Sequence, residues 1–159
     1  LYFIIIAVVI ALDQLVKYLI RTNMDLNSSV PIIDGIFHIT YIHNNGAAFS
    51  ILENKTAFLI AMQIIVIVIV LIYLIKRQKK DHWCLLLSLS LIAAGGMGNL
   101  IDRAANGYVV DFLDFRVWPI FNVADISVCV GCGLLVLYMF LIEPRIRRTQ
   151  EAGHHTPEE

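Results

Sequence analysis

Four apolar stretches, residues 1–20, 57–75, 83–101 and 126–142, constrain this chain more than anything else in it. A bilayer core is about 30 Å thick, and a helix needs about 20 mostly apolar residues to cross it. Lipid offers the backbone no hydrogen-bond partners, so each stretch is expected as a membrane-spanning helix. Composition agrees: of 159 residues, 58% are hydrophobic and 16% charged, and the mean hydropathy is +0.75. Soluble domains carry about 25% charged residues. These values exclude a disordered chain, a soluble enzyme and a nucleic-acid binder with a basic footprint. The expected fold is all-α, with four transmembrane helices and a small extracytoplasmic β-like flap between helices 1 and 2.

Residues 1–148 are expected to form a single four-span domain. The flap covers about residues 23–55. There Ile32, Ile36, Ile39, Tyr41 and Ile42 recur among turn residues such as Asp34-Gly35 and Asn45-Gly46, a pattern of short strands or an interfacial flap. Residues 149–159 are polar, contain Gly153 and Pro157, and read as a mobile cytoplasmic tail in which His154 and His155 are solvated. The first stretch reads as a retained span. No basic segment precedes it, no small-residue cleavage site follows it, and Lys17 and Arg21 lie at its far end. The chain starts without Met, so its numbering is expected to begin inside a longer one.

Net charge is −1 and names no partner, but the distribution of charge is informative. Seven of the twelve Lys and Arg residues fall in two places: Lys76, Arg77, Lys79 and Lys80 between spans two and three, and Arg145, Arg147 and Arg148 after span four. Basic loops stay on the cytoplasmic side. Both termini are therefore expected inside, and residues 21–56 and 102–125 outside. Three cysteines make no disulfide scaffold. Cys129 and Cys132 form a C-x-x-C inside an apolar run and read as packing residues.

Ionisable and amide side chains in or near spans are costly, which makes them functional candidates. Asp13 and Lys17 share one helix face at i, i+4 and read first as an ion pair orienting the helix or a neighbouring loop. Gly95, Asn99 and Arg103 also share a face. The glycines of Gly95-Gly96-Met97-Gly98 admit a close helix neighbour, and an Arg at 103 can bind a peptide carbonyl or hold a carboxylate. Taken alone, Asp111 reads as a helix cap in a segment dipping against the membrane or the bundle. Taken alone, Asp125 reads as the N-cap of the fourth helix. Together, however, Asp13, Lys17, Asn44, Asn99, Arg103, Asp111 and Asp125 converge on one stratum of the outer leaflet, and that convergence points to an active site.

The chemistry follows by comparison. The chain has no H-E-x-x-H and no G-x-S-x-G. His38 and His43 are a poor metal pair without a third ligand, and Ser88, Ser90 and Ser127 have no His near them in sequence. Two carboxyl groups held close cannot both ionise. The charged one can take a proton from water while the protonated one polarises a scissile carbonyl. Asp111 and Asp125, with Asn122, Asn99 and Arg103 as donors, supply such a set with no metal and no cofactor. A proton-coupled carrier using Asp13, Asp111 and Asp125 would place its acids near the midplane, open to both sides; these cluster at one face. A non-enzymatic assembly subunit would tolerate Asp111→Asn and Asp125→Asn.

Five blocks carry a resemblance: Asp13-Gln14-Leu15-Val16-Lys17, Asn44-Asn45-Gly46-Ala47-Ala48-Phe49, Gly95 through Arg103, Val109-Val110-Asp111-Phe112, and Phe121-Asn122-Val123-Ala124-Asp125. In this order, on a four-span chain, they resemble the bacterial lipoprotein signal peptidases, or signal peptidase II. Met97 falls where the family varies, and the tail after Pro144 matches no block. The resemblance implies an aspartyl endopeptidase of the bacterial cytoplasmic membrane, with its active site toward the outer leaflet. It would cut diacylglyceryl-modified prolipoproteins just before the lipidated cysteine. The implied catalytic residues are Asp111 and Asp125. Asn44, Asn99, Arg103 and Asn122 would contact substrate, and Asp13, Lys17, Gly46, Gly95 and Asp102 would support the site. The implied partners are the lipidated substrate, membrane lipid and the inhibitor globomycin, without nucleic acid. A monomer is expected, with the flap closing over the site.

Overall fold

In the computed structural model, residues 1–46, 56–146 and 148 are described. The last part of the expected flap and the tail at 149–159 lie outside the described residues. The elements are α1 (Tyr2–Asn23), β1 (Ser29–Ile33), β2 (Phe37–Asn44), α2 (Thr56–Arg77), α3 (Trp83–Asn106), β3 (Val109–Asp114) and α4 (Val123–Leu137). α4 continues through one π-helical turn, Tyr138–Ile142. Among the described residues, four helices are long and apolar enough to cross a membrane: Tyr2–Asn23, Ala57–Arg77, Trp83–Asn106 and Val123–Ile146. The expected all-α architecture of four spans with a small β flap is the one observed.

The helices outrun the apolar stretches that announced them. α3 continues five residues past 101, to Asn106, and α4 starts at Val123, three residues before 126. Polar residues extend them because partners inside the bundle satisfy those side chains. α3 stops where Gly107 adopts the left-handed conformation (φ 82°) and donates its N–H to Arg103 O, the usual glycine stop. α4 starts with Asn122 as N-cap in a capping box with Asp125. Asp125 is therefore the third helical residue and not the cap. Asp111 is not a helix cap either: it lies in β3.

α3 is the hub, packing against α1, α2 and α4. Half of its span is buried, far more than in the other three. Small residues make this possible. A Cβ on Gly95 would run into the backbone oxygen of Ala124, and one on Gly131 would lie 2.8 Å from Ser88 O. Ile6, Val70, Leu74, Leu86, Ala93 and Ala94 form the core between the helices. Outward faces are apolar, with Ile4, Val8, Ile69, Ile75, Val130 and Phe140 exposed, as lipid contact requires. Cys129 and Cys132 are exposed on α4 rather than packed inside, and Cys84 is buried; all three are free thiols.

The sheet has the order β1-β2-β3, with both pairs antiparallel. The expected short strands are present: β1 and β2 form a hairpin, turning at Asp34-Gly35. β3 comes from the link between α3 and α4 and adds a strand that the alternation pattern did not announce. β3 is nearly all buried, whereas β1 is exposed throughout. A second core of Tyr41, Val110 and Phe112, with Val16, Ile20, Met24 and Val123 against it, fastens the sheet to the bundle. The sheet stands at the end where α1 and α3 finish and where α2 and α4 begin.

Candidate active site

Asp111 is fixed by its strand. Asp111 pairs in register with Ile42 of β2, and the preceding Val110 N–H is held by Asp102 Oδ2 at 3.1 Å. The Asp111 carboxyl is 1% exposed. Its Oδ1 accepts from Asn122 Nδ2 at 2.7 Å and its Oδ2 from Asn44 Nδ2 at 2.8 Å. Burial pushes its pKa up to about 7, with the charge of Asp125 adding to the rise and the Asn44 and Asn122 hydrogen bonds and Lys17 opposing it. Asn44 is itself oriented: its Oδ1 accepts Gly46 N–H at 2.9 Å, leaving its NH2 for Asp111.

Asp125 sits in the first turn of α4. Its Oδ1 accepts from Asn99 Nδ2 at 2.8 Å and its Oδ2 from the Asn122 backbone N–H at 3.1 Å. Asn122 therefore touches both acids, its side chain on Asp111 and its main chain on Asp125. Asn122 Oδ1 in turn accepts Asp125 N–H at 2.9 Å. Asn44, Asp111, Asn122, Asp125 and Asn99 form one continuous hydrogen-bonded chain drawn from β2, β3, α4 and α3.

A buried ion cluster backs this chain. Lys17 Nζ lies 2.9 Å from Asp13 Oδ2, 3.0 Å from Asp102 Oδ2 and 3.0 Å from Asn99 Oδ1. Lys17 and Asp13 are fully buried and Asp102 is 1% exposed. Asp13 Oδ1 also accepts the Ala124 N–H at 2.9 Å, so the pair on α1 holds the start of α4, in line with its reading as an orienting ion pair. Gly98 keeps the contact close: a Cβ there would lie 2.6 Å from Asp13 Oδ2.

Arg103 does bind a peptide carbonyl, through Nη2 to Gly46 O at 2.6 Å, and its Nη1 meets Gln63 Oε1 at 3.3 Å. Sequence reasoning missed Gln63 and Gln14. Gln14 Nε2 lies within 3.2 Å of Asp13 Oδ2 and Gly98 O and 3.1 Å from Asp102 Oδ1. Gln14 stands inside the first quoted block, which was the available signal; Gln63, a lone amide in α2, had none beyond its polarity in an apolar run. His38 and His43 do not join the acids. His43 stacks on Tyr108 with ring centroids 3.6 Å apart and shares a 2.8 Å hydrogen bond with Tyr41 OH, and His38 Nδ1 meets Ser29 Oγ at 3.1 Å. Among the described residues, no group of three or more His, Cys, Asp or Glu side chains is placed to hold a metal ion.

Asp111 and Asp125 are thus joined through one asparagine, each carries amide donors, and the charge of Asp125 raises the pKa of Asp111. Residues 5–141 match the protein family described as Signal peptidase (SPase) II. The chain belongs to the signal peptidase II family. All the residues of the chain and cluster above fall inside that match. The protein is 47% identical over 138 residues to a lipoprotein signal peptidase of Halothermothrix orenii, covering 87% of this chain and 94% of that one. It is 49% identical over 142 residues to one of Brevibacillus brevis, covering 88% and 95%. It also resembles a bacterial membrane enzyme solved in meso at 1.9 Å resolution, with a TM-score of 0.78, 34% identity, and 89% of this chain and 93% of that one covered. Membership of the signal peptidase II family supports aspartic-type peptidase activity in a multi-pass membrane protein.

Proposed function

We propose that this protein removes signal peptides from diacylglyceryl-modified bacterial prolipoproteins, cutting just before the lipidated cysteine, with Asp111 and Asp125 as its catalytic pair. The observation that carries the reading is Asn122, which binds Asp111 through its side chain and Asp125 through its main chain. The positive-inside rule supports cytoplasmic termini and loop 78–82, and hence a site toward the outer leaflet. A lipid-bearing cysteine anchors its scissile bond at that depth.

In the reaction the ionised acid takes a proton from water. The resulting hydroxide attacks the scissile carbonyl while the protonated acid donates a hydrogen bond to the carbonyl oxygen. The tetrahedral intermediate collapses when a proton reaches the leaving nitrogen, and the C–N bond breaks. Asn44, Asn99 and Asn122 hold the acids and, with Arg103, contact the substrate, while Gly46 supports the site by accepting from Arg103. Membrane lipid surrounds the helices, a monomer suffices, and globomycin is expected to compete with substrate. No metal enters this scheme.

The test is cleavage of a diacylglyceryl-prolipoprotein by purified wild type, Asp111→Asn and Asp125→Asn, with thermal unfolding measured for each. Wild type is expected to cut before the modified cysteine, and each folded variant to lose activity by about 10³-fold or more. A folded variant with near wild-type turnover would overturn the catalytic assignment.

A further inference from the structure

Lys17 is completely buried, and all three hydrogens of its ammonium group are engaged, by Asp13, Asp102 and Asn99. An ammonium group donates and never accepts. It therefore forces the oxygen end of Asn99 to face it, since the reverse orientation would press an NH2 against an NH3+. The NH2 end of Asn99 is left with one direction, toward Asp125 Oδ1 at 2.8 Å. Asn122 Nδ2, 3.1 Å from Asn99 Oδ1, enforces the same orientation. Donation thus runs one way, from Lys17 through Asn99 to Asp125.

The two acids are not equivalent under this constraint. Asp125 occupies the first turn of α4, where the helix dipole favours negative charge, and it is only partly buried. Asp111 is on a strand, with no helix terminus behind it, and is 1% exposed. The charged groups facing this region are Asp13 and Lys17 from α1, Asp102 and Arg103 from α3, and Asp111 from β3. Lys17 and Arg103 balance Asp13 and Asp102, so net charge alone does not favour a carboxylate at 125. The helix terminus does, together with the Asn99 amide that Lys17 orients; Asp111 accepts amides from Asn44 and Asn122 but has no helix terminus.

We propose that Lys17 is a positioning residue of the reaction: by fixing the Asn99 amide it keeps Asp125 as the ionised acid that activates water and leaves the shared proton on Asp111. This rests on the catalytic reading above. It also gives the first helix, which contributes neither acid, a role beyond holding α4.

The test uses the full-length enzyme carrying Lys17→Met together with Asp102→Asn. The pair of changes preserves the net charge of the cluster. Asp13 keeps Gln14 and the Ala124 N–H as hydrogen-bond partners but loses its cation, so folding of the double variant is checked by thermal melting. With lipidated substrate, kcat is expected to fall about 10-fold or more with KM nearly unchanged, and the acidic limb of the pH–rate profile to move up by about one unit. A folded double variant with wild-type kcat and an unmoved acidic limb would overturn the proposal and leave Lys17 as scaffold. Infrared spectra of the wild type and the single acid variants give a second reading that does not need the double variant to fold. At about pH 6 the protonated-carboxyl stretch should vanish in Asp111→Asn and persist in Asp125→Asn; the reverse pattern overturns the proposal. If both single variants still cleave, the catalytic reading itself has failed, whatever Lys17 does.

Discussion

Asn122 donates its side-chain amide to Asp111 at 2.7 Å, although the same residue is the N-cap of α4. One side chain thus both starts a helix and holds an acid, and the two duties are separable. Serine can cap a helix but cannot reach a neighbouring strand with an NH2. Asn122→Ser is expected to unfold within a few degrees of wild type yet lose about 10- to 100-fold in kcat/KM. Asn122→Ala should lose the activity and also about 1 kcal/mol of cap stability. Thermal melts in detergent and cleavage rates on the same preparations check both.

The pH profile follows from Asp111. Burial first, and then the charge of Asp125, push its pKa up to about 7. A reaction that needs this group protonated should therefore slow as pH rises through about 7. The effect on stability has the same sign. The folded protein holds this proton over a range where the unfolded chain releases it, so the group's contribution is fully present below its ordinary carboxylate pKa and is lost as pH rises through about 7. In Asp111→Asn that part of the pH dependence should disappear, as urea or thermal unfolding measured against pH would reveal.

Gly95 and Gly133 make a matched pair. A Cβ at 95 meets the Ala124 backbone oxygen and Val128, whereas one at 133 meets nothing within 4 Å. Gly95→Ala is expected to push α4 away from α3, costing about 1–3 kcal/mol and most of the activity. Gly133→Ala should be neutral or slightly stabilising, because alanine is the better helix former. The contrast is read from melting temperature and turnover together.

Asp13→Ala removes one partner of a buried ion cluster and the acceptor of Ala124 N–H. Breaking such a pair costs about 3–5 kcal/mol. The variant should melt far below wild type. A melting temperature within a degree or two of wild type would show that the cluster is not holding α4.

The four spans were legible because lipid makes a demand that only long apolar helices meet. Their ends were not, because Asn99, Asp102 and Arg103 look like the end of a helix until their distant partners Lys17, Gln14 and Gly46 are known. β3 was hidden for a related reason. Val109–Asp114 is buried on both faces, so it shows no alternation and reads as an apolar dip. Asp125 looked like a cap because an acid in the third helical position and a capping residue differ by only three places. The gathering of Asn44, Asn99, Asp111 and Asp125 was readable from the cost of polar groups at one membrane depth, whereas Asn122 entered as a donor beside the two acids and through the family resemblance. Gln14 was masked by the charges of Asp13 and Lys17 beside it, and Gln63 is a lone amide far in sequence from the other polar groups.

Orientation has its own test. In a background with Cys84, Cys129 and Cys132 replaced by alanine, a cysteine introduced as Gln78→Cys should react with a membrane-impermeant maleimide only after the cytoplasmic side is opened. Asp34→Cys should react in intact cells. The opposite pattern would invert the proposed topology.

Asp13 and Ala124 are 111 residues apart and hydrogen-bonded. During synthesis the first helix enters the bilayer long before the last one exists. Until α4 arrives, Asp13 has no end of α4 to hold, Asn99 has no acid to serve, and β3 lacks the Phe121 partner along its free edge. A chain without α4 therefore has only part of the hydrogen-bonded network in place. The site is thus spread along the chain so that Asn122 and Asp125 are the last of its residues to be laid down.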